Sequence, residues 1–378
     1  MQNSKYDIAI IGGGLAGLTL SIQCADAGYK VALFEKEKYP FHKVCGEYIS
    51  LESFSFLQKI GLNFSQWDIP FIKQLQVSDA HGKLYRFSLD LGGFGISRFM
   101  LDNALYEIAL KKNVHVFTAT KVQDIVYEND QFNIISSNST FTAKTVAASF
   151  GKRSNLDVKW NRSFTKERNN KLNNYVGIKY HVRYPHQKET IALHNFENGY
   201  CGISKIENDK SCLCYLTTAD NLQRNKNSIT EMEKNILHKN PHLKKIFSEA
   251  EFLYSQPLAI SQISFSKKDQ VEDHVLMVGD AAGMITPLCG NGMSMAMHGS
   301  KIAFENIADF LQGNISRSEM EENYTGQWRN QFSKRLFIGR NVQRLFGGNI
   351  STALFLKMMH SFPSMANMLI RSTHGEEF

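Results

Sequence analysis

Three glycines, Gly12, Gly14 and Gly17, stand in G-x-G-x-x-G spacing, and an acid, Glu35, closes the next apolar run. Glycines so placed let a backbone approach a phosphate that any side chain would hold off. Gly12 allows the tight turn, Gly14 the approach to a pyrophosphate, and Gly17 the close packing of a helix on a strand, while Glu35 can accept ribose hydroxyls. A second pair, Gly279 and Asp280, ends the run HVLMVGD and leads into the loop AAGMITPLCGNGM. There backbone amides can reach a ligand carbonyl and a carboxylate can take a hydroxyl, although Gly-Asp after a strand is by itself often only a turn. The third group is YPFHKVCGEYIS, residues 39 to 50, with Cys45 between Lys43 and Gly46. A thiol beside a cation can be partly ionised, but a free cysteine is more often a small buried hydrophobe.

These residues need elements to hold them. Tyr6 to Ile11 reads as a buried strand, Leu15 to Ala27 as a helix ending at Gly28, and VALFEK as a second strand, which together make a βαβ opening. GISRFMLDNALYEIAL places Arg98 ahead of a helix with Leu101, Leu105, Ile108 and Ala109 on one face. Residues 274 to 297 read as strand, loop and helix.

Together the three segments resemble the flavoprotein family that includes geranylgeranyl reductases and aromatic hydroxylases of the p-hydroxybenzoate hydroxylase type. The resemblance implies an α/β fold: a Rossmann-like FAD-binding domain built from discontinuous segments, an inserted antiparallel-sheet substrate domain, and C-terminal helices. It implies FAD held by Gly12, Gly14, Ala16, Gly17, Glu35, Lys36, Arg98 and Val122, with Gly279 and Asp280 at the ribityl chain. Pro287, Gly290, Asn291, Gly292 and Met293 would then lie beside the isoalloxazine ring. HKVCGE matches the K-x-C-G-E of the geranylgeranyl reductase branch, which places Lys43, Cys45, Gly46 and Glu47 along the flavin.

The implied boundaries are 1–70, 98–170 and 251–312 for the FAD-binding domain, 71–97 and 171–250 for the sheet domain, and 313–378 for the helical region. Residues 71–97 and 172–219 alternate apolar and polar positions, with turns at Asp79 to Gly82 and Glu207 to Lys210. Phe71, Phe94, Tyr175, Tyr180, Phe196, Tyr200 and Tyr215 are candidates to line a substrate pocket on this sheet, against the plainer reading of core aromatics. Tyr200 and Cys45 are the catalytic candidates. The stretch NGYCGISKIEND lacks the tryptophan of the reductases, and SFGKRSNLD has Phe150 where the hydroxylases have an aspartate. There is no second G-x-G-x-x-G for a nicotinamide domain, so NAD(P)H is expected as a transient reductant, the alternative being reduction by another protein.

The 378 residues carry a formal charge of +7, too scattered for a nucleic-acid surface except around Arg329, Lys334, Arg335, Arg340 and Arg344. Six cysteines show neither a disulfide framework nor a zinc spacing, and the glycine-broken N-terminal run lacks a signal peptide's basic leader, so a cytoplasmic protein without a metal is expected. RLFIGRNVQRLFGG and ALFLKMMHSF read as a helical cap, with apolar and basic positions interleaved. The alternative is an amphipathic surface that admits a lipophilic substrate from a membrane or a carrier protein. The expected activity is NAD(P)H-dependent hydroxylation of a lipophilic phenol or aromatic polyketide. Reduction of a C=C bond in an isoprenoid or polyene, and a flavin electron carrier without turnover, are the alternatives.

Overall fold

The computed structural model describes residues 5–137, 139–166 and 174–378. KYDIAII forms the strand Lys5–Ile11, buried on both faces from Ile8 to Ile11, as the apolar run IAII requires. It pairs in parallel with Val31–Phe34 on one side and Thr140–Ala148 on the other. The eight-stranded sheet continues outward to His115–Phe117 at one edge and to Val275–Met277 and Val271–Glu272 at the other. A hairpin, Val122–Glu128 with Gln131–Ser136, joins Thr140–Ala148 antiparallel.

The helix Leu15–Asp26 lies between this sheet and the long helix Gly292–Leu311, and Thr19 Oγ1 meets Ser300 Oγ at 2.7 Å across that contact. Small polar residues at such a crossing let the backbones come close. Ile8, Ile10, Leu18 and Leu33 are fully buried in the same core, where truncating one to alanine would cost about 2–5 kcal/mol.

The second sheet has nine strands. Its turns fall where the sequence places them, and most of its pairs are antiparallel, but Phe71–Ser78 runs parallel to Thr190–Phe196, so the sheet is mixed. The start of the strand run expected at 172 lies outside the described residues, and the first strand beyond it is Tyr175–Arg183. Tyr48–Ser50 and Glu251–Phe252 also pair with this sheet. One face carries the helices Ala219–Arg224, Ile229–Asn235 and Pro241–Glu249, and the other faces the loop at 284–288 and the C-terminal helices.

Candidate active site

The glycines separate by what surrounds them. A Cβ on Gly12, whose φ is +110°, would lie 2.6 Å from the Ser149 carbonyl oxygen, and one on Gly17 would lie 2.0 Å from that of Gly12. The fold itself demands these two. A Cβ on Gly14 would meet nothing closer than Lys43 Nζ at 3.6 Å and an Arg98 guanidinium nitrogen at 3.8 Å, with an ordinary φ of −83°. No protein contact requires glycine there, and two cations flank the space left open, as a diphosphate would need.

The helix Leu15–Asp26 begins at Gly14 without a side-chain cap, and Gly292–Leu311 begins at Asn291 likewise. Arg98–Lys111, by contrast, is capped by Ser97, which accepts the Met100 N–H at 3.2 Å. The two uncapped starts therefore keep amides and a positive dipole end available for a ligand.

Arg98 is positioned by a residue that the sequence reading missed. Asp102, one helical turn on, takes the guanidinium at 2.6 and 2.7 Å, and Lys43 approaches the same carboxylate at 3.1 Å. Burial pushes the Asp102 carboxyl up, but Arg98 and Lys43 outweigh it and hold it below its usual value. The i, i+4 spacing of Arg98 and Asp102 was the available signal. Glu35 is buried and accepts the Gly13 N–H at 2.8 Å and the Glu37 N–H at 3.0 Å, with lone pairs left for hydroxyls. Tyr39 donates to the Gly13 carbonyl at 2.5 Å and stacks on Tyr106.

Of the remaining expected contacts, Ala16 is buried with its Cβ 3.0 Å from where Gly279, at φ +64°, would carry one. Val122 starts its strand buried in the core. Lys36 is largely exposed and, among the described residues, reaches only Glu37.

At the other end of the site, Asp280 follows the strand Val275–Met277 in a short helical turn, Gly279–Ala281. Among the described residues its carboxylate has no hydrogen-bond donor, and burial raises its pKa against the pull of Lys268, Arg98 and Lys152. It is an acceptor without a protein partner. Lys268, buried and lowered to about 8 by burial, braces the turn by donating to the Asp280 and Lys152 carbonyls at 2.8 and 2.7 Å.

The loop 286–293 is held from the C-terminal side. Thr286 donates to the Gly339 carbonyl at 3.1 Å, and Asn291 Nδ2 donates to the Thr373 carbonyl at 2.9 Å. Pro287 opens a single helical turn, and Gly290 lies against Tyr48, whose buried hydroxyl has no hydrogen-bond partner among the described residues. Gly292 starts the long helix with open space beside it, its nearest neighbour Ile285 at 3.6 Å.

The structure brings Cys45 and Met293 together, sulfur to sulfur at 3.5 Å, while a Cβ on Gly46 would point into open space among the described residues. Burial pushes the Cys45 thiol up, more than Arg98 pulls it down. It is a thiol at neutral pH, which agrees with packing. Beside it Glu47, fully buried, binds Lys179, His181 at 2.6 Å and the Arg98 N–H at 2.8 Å. Tyr254 bridges His181 Nδ1 at 2.8 Å and His42 Nε2 at 3.0 Å. Glu47, His181 and Cys212 lie close enough to share a metal, but Lys179 already neutralises the carboxylate and burial keeps the Cys212 thiol protonated.

The candidate pocket aromatics divide between the sheet's two faces. Tyr180, Phe196 and Tyr215 pack against the helices on the far side, where both tyrosine hydroxyls donate to Glu233 at 2.8 Å. Phe94 is core and Phe71 is half exposed. Only Tyr175 and Tyr200 face the loop, with Phe265, Met284 and Leu288. The Tyr200 hydroxyl is buried without a hydrogen-bond partner among the described residues, and burial raises it well above its ordinary pKa, so it is a neutral donor.

The residues thus fit FAD: an open glycine turn with cations, two uncapped helix starts, and an unclaimed carboxylate between them. The sequence profile of the FAD binding domain family matches residues 5–336. The solved structure of the flavin-dependent brominase Bmp2 superposes with a TM-score of 0.80 at 18% identity, over 98% of this chain and 93% of that one. The p-nitrophenol 4-monooxygenase PnpA of Pseudomonas putida gives 0.77 at 17% identity, over 97% and 96%. A geranylgeranyl bacteriochlorophyll reductase-like protein of Thermoplasma acidophilum gives 0.72 at 17% identity, over 99% and 92%.

Proposed function

Since the chain belongs to the FAD binding domain family and is an FAD-dependent oxidoreductase, we propose that it is an NAD(P)H-dependent monooxygenase acting on a lipophilic phenol or related aromatic. When bound, FAD takes two electrons from NAD(P)H and passes them to O2, of which one oxygen enters the substrate and the other leaves as water.

The observation that carries this reading is the Tyr200 hydroxyl, buried and without a hydrogen-bond partner among the described residues, on the apolar face that packs with Met284 and Leu288. A buried donor left without a partner costs about 1–3 kcal/mol. A substrate oxygen arriving there would remove that cost. Tyr175, Phe265, Met284 and Leu288 would bury the substrate's ring and exclude water. Gly14, Lys43 and Arg98 would hold the diphosphate, and Asp280 would accept a ribityl hydroxyl. The amides at Gly292 and Met293 would face the flavin carbonyls, and Cys45 would pack beside them without reacting.

The test is NADPH or NADH oxidation under air with a panel of alkylphenols, followed by mass spectrometry. Substrate-stimulated turnover with a product heavier by one oxygen supports the reading. A brominated or chlorinated product that requires added halide, or a substrate that gains two hydrogens without oxygen, would replace it with halogenation or double-bond reduction.

A further inference from the structure

From residue 323 to 375 the chain contains no aspartate or glutamate and seven lysines or arginines. The same stretch carries the most exposed of the large apolar side chains on the described surface. Ile350, Leu354 and Met358 are 83%, 67% and 42% exposed, and Phe362 and Met368 follow at 60% and 64%. Ile350, Leu354 and Met358 recur every four residues on the helix Asn349–Ser361, so they form one stripe, and Lys357 stands two turns from Ile350 on that same face. Leu356 and Met359, on the opposite side, are buried against the core. The helix is therefore apolar on two faces. One is the cap read from the sequence, and the other is exposed, with nothing among the described residues covering it.

Charge decides what would cover that second face. Lys334, Arg340, Arg344 and Lys357 have no acidic partner among the described residues, and Arg371 has one, Asp90 at 2.7 Å. Lys334, Met368 and Arg371 line one groove between the helices Arg317–Gln343 and Pro363–Thr373. A second copy of the chain would bring a like-charged surface into contact. Exposed apolar side chains on helices whose cations lack acidic partners among the described residues instead suit a surface that is oily inside and anionic at its rim. No described helix is long and apolar enough to cross a bilayer, so the contact would be with its surface.

We propose that the C-terminal helices form a docking face for an anionic lipid bilayer, with Ile350, Leu354, Met358 and Phe362 in the interface and Lys334, Arg344 and Lys357 at the headgroups. Lys357 would lay its methylenes along the stripe and keep its ammonium in water. This face adjoins the apolar cluster of Tyr200 and Met284 through Phe346, Phe355 and Leu356, a route by which a lipophilic substrate could reach the site without crossing water. The docking itself does not depend on which reaction the site performs.

The test is sedimentation of the FAD-loaded protein with vesicles of phosphatidylcholine alone or mixed with phosphatidylglycerol, with FAD content and melting temperature checked for each variant. The expected result is binding to the mixed vesicles at least about tenfold tighter than to the neutral ones, weakened by salt. The triple variant Ile350→Ser, Leu354→Ser, Met358→Ser should lose about tenfold or more while staying folded and yellow. Protein that stays in solution with the mixed vesicles would overturn the proposal. So would binding that the triple variant leaves unchanged, or a dimer seen by light scattering that the variant abolishes without any vesicle binding.

Discussion

Glu47 and His181, 134 residues apart, share a hydrogen bond of 2.6 Å in a place where neither side chain is exposed. The same carboxylate neutralises Lys179, whose ammonium also donates to the Lys43 carbonyl at 3.0 Å. The second sheet thereby pins the 43–47 segment against the nucleotide-binding half. Burial raises the Glu47 pKa, but Lys179 and His181 outweigh it and bring it down to about 2 from 4.5. A depressed carboxyl stabilises the fold fully above about pH 4.5 and loses that contribution as pH falls toward 2. Glu47→Gln should flatten the acid limb of a melting-temperature profile across that window and cost about 3–5 kcal/mol at neutral pH, since it leaves Lys179 buried and unpaired. An unchanged acid limb would show that the network is not coupled to folding.

Asp280→Ala should weaken FAD binding by about 1.5–3 kcal/mol, roughly tenfold to a hundredfold, because a charged acceptor for a hydroxyl is lost. Melting of the FAD-free protein should not fall, since no protein donor loses a partner. Flavin fluorescence titration reads the first effect and calorimetry the second. An unchanged FAD affinity would make Gly279 and Asp280 a turn and nothing more.

Cys45→Ala tests packing against chemistry. With the thiol protonated and set against Met293, the variant should keep FAD and lose at most about tenfold in turnover through a slightly misplaced substrate. Rapid mixing separates the half-reactions. A loss of about 10² to 10⁴ in the substrate step with normal flavin reduction would make Cys45 a general acid and favour reduction of a double bond.

Tyr200→Phe removes a hydroxyl that no described residue hydrogen-bonds, so stability should hold or rise slightly. Turnover with a phenol should fall by about tenfold or more if that hydroxyl orients the substrate oxygen, with FAD affinity unchanged. Equal kinetics in variant and parent would remove Tyr200 from the site.

The two ends of the site were legible because each is written locally. Gly12, Gly14, Gly17 and Glu35 lie within one βαβ unit, and Gly279 through Met293 within one strand, loop and helix, so spacing alone conveys the geometry. Tyr175 and Tyr200 could not be told from Tyr180 and Tyr215, because alternation says that neighbours face opposite ways and not which face meets the loop. The partnership of Glu47 with Lys179 and His181 was hidden by sequence distance. So was the hold of Thr373 on Asn291, which ties the loop to helices read as a cap. Those helices were read as interleaved apolar and basic residues, and the structure resolves the interleaving into one buried and one exposed apolar face on Asn349–Ser361.

The central claim is that the space beside Gly14, between Lys43 and Arg98, receives the diphosphate of FAD. The most direct measurement is FAD titration of the apoprotein by absorbance and calorimetry, comparing the parent with Gly14→Val. The backbone at Gly14 accommodates valine without strain, and a Cβ there would meet, beyond the adjoining residues of its own chain segment, only the two cationic tips within 4 Å among the described residues, so the variant should fold and melt like the parent. The account predicts a yellow parent with tight, stoichiometric FAD and a folded, colourless variant whose affinity is lower by at least about a hundredfold. A parent that takes up no FAD, or a variant that binds it as the parent does, would contradict it.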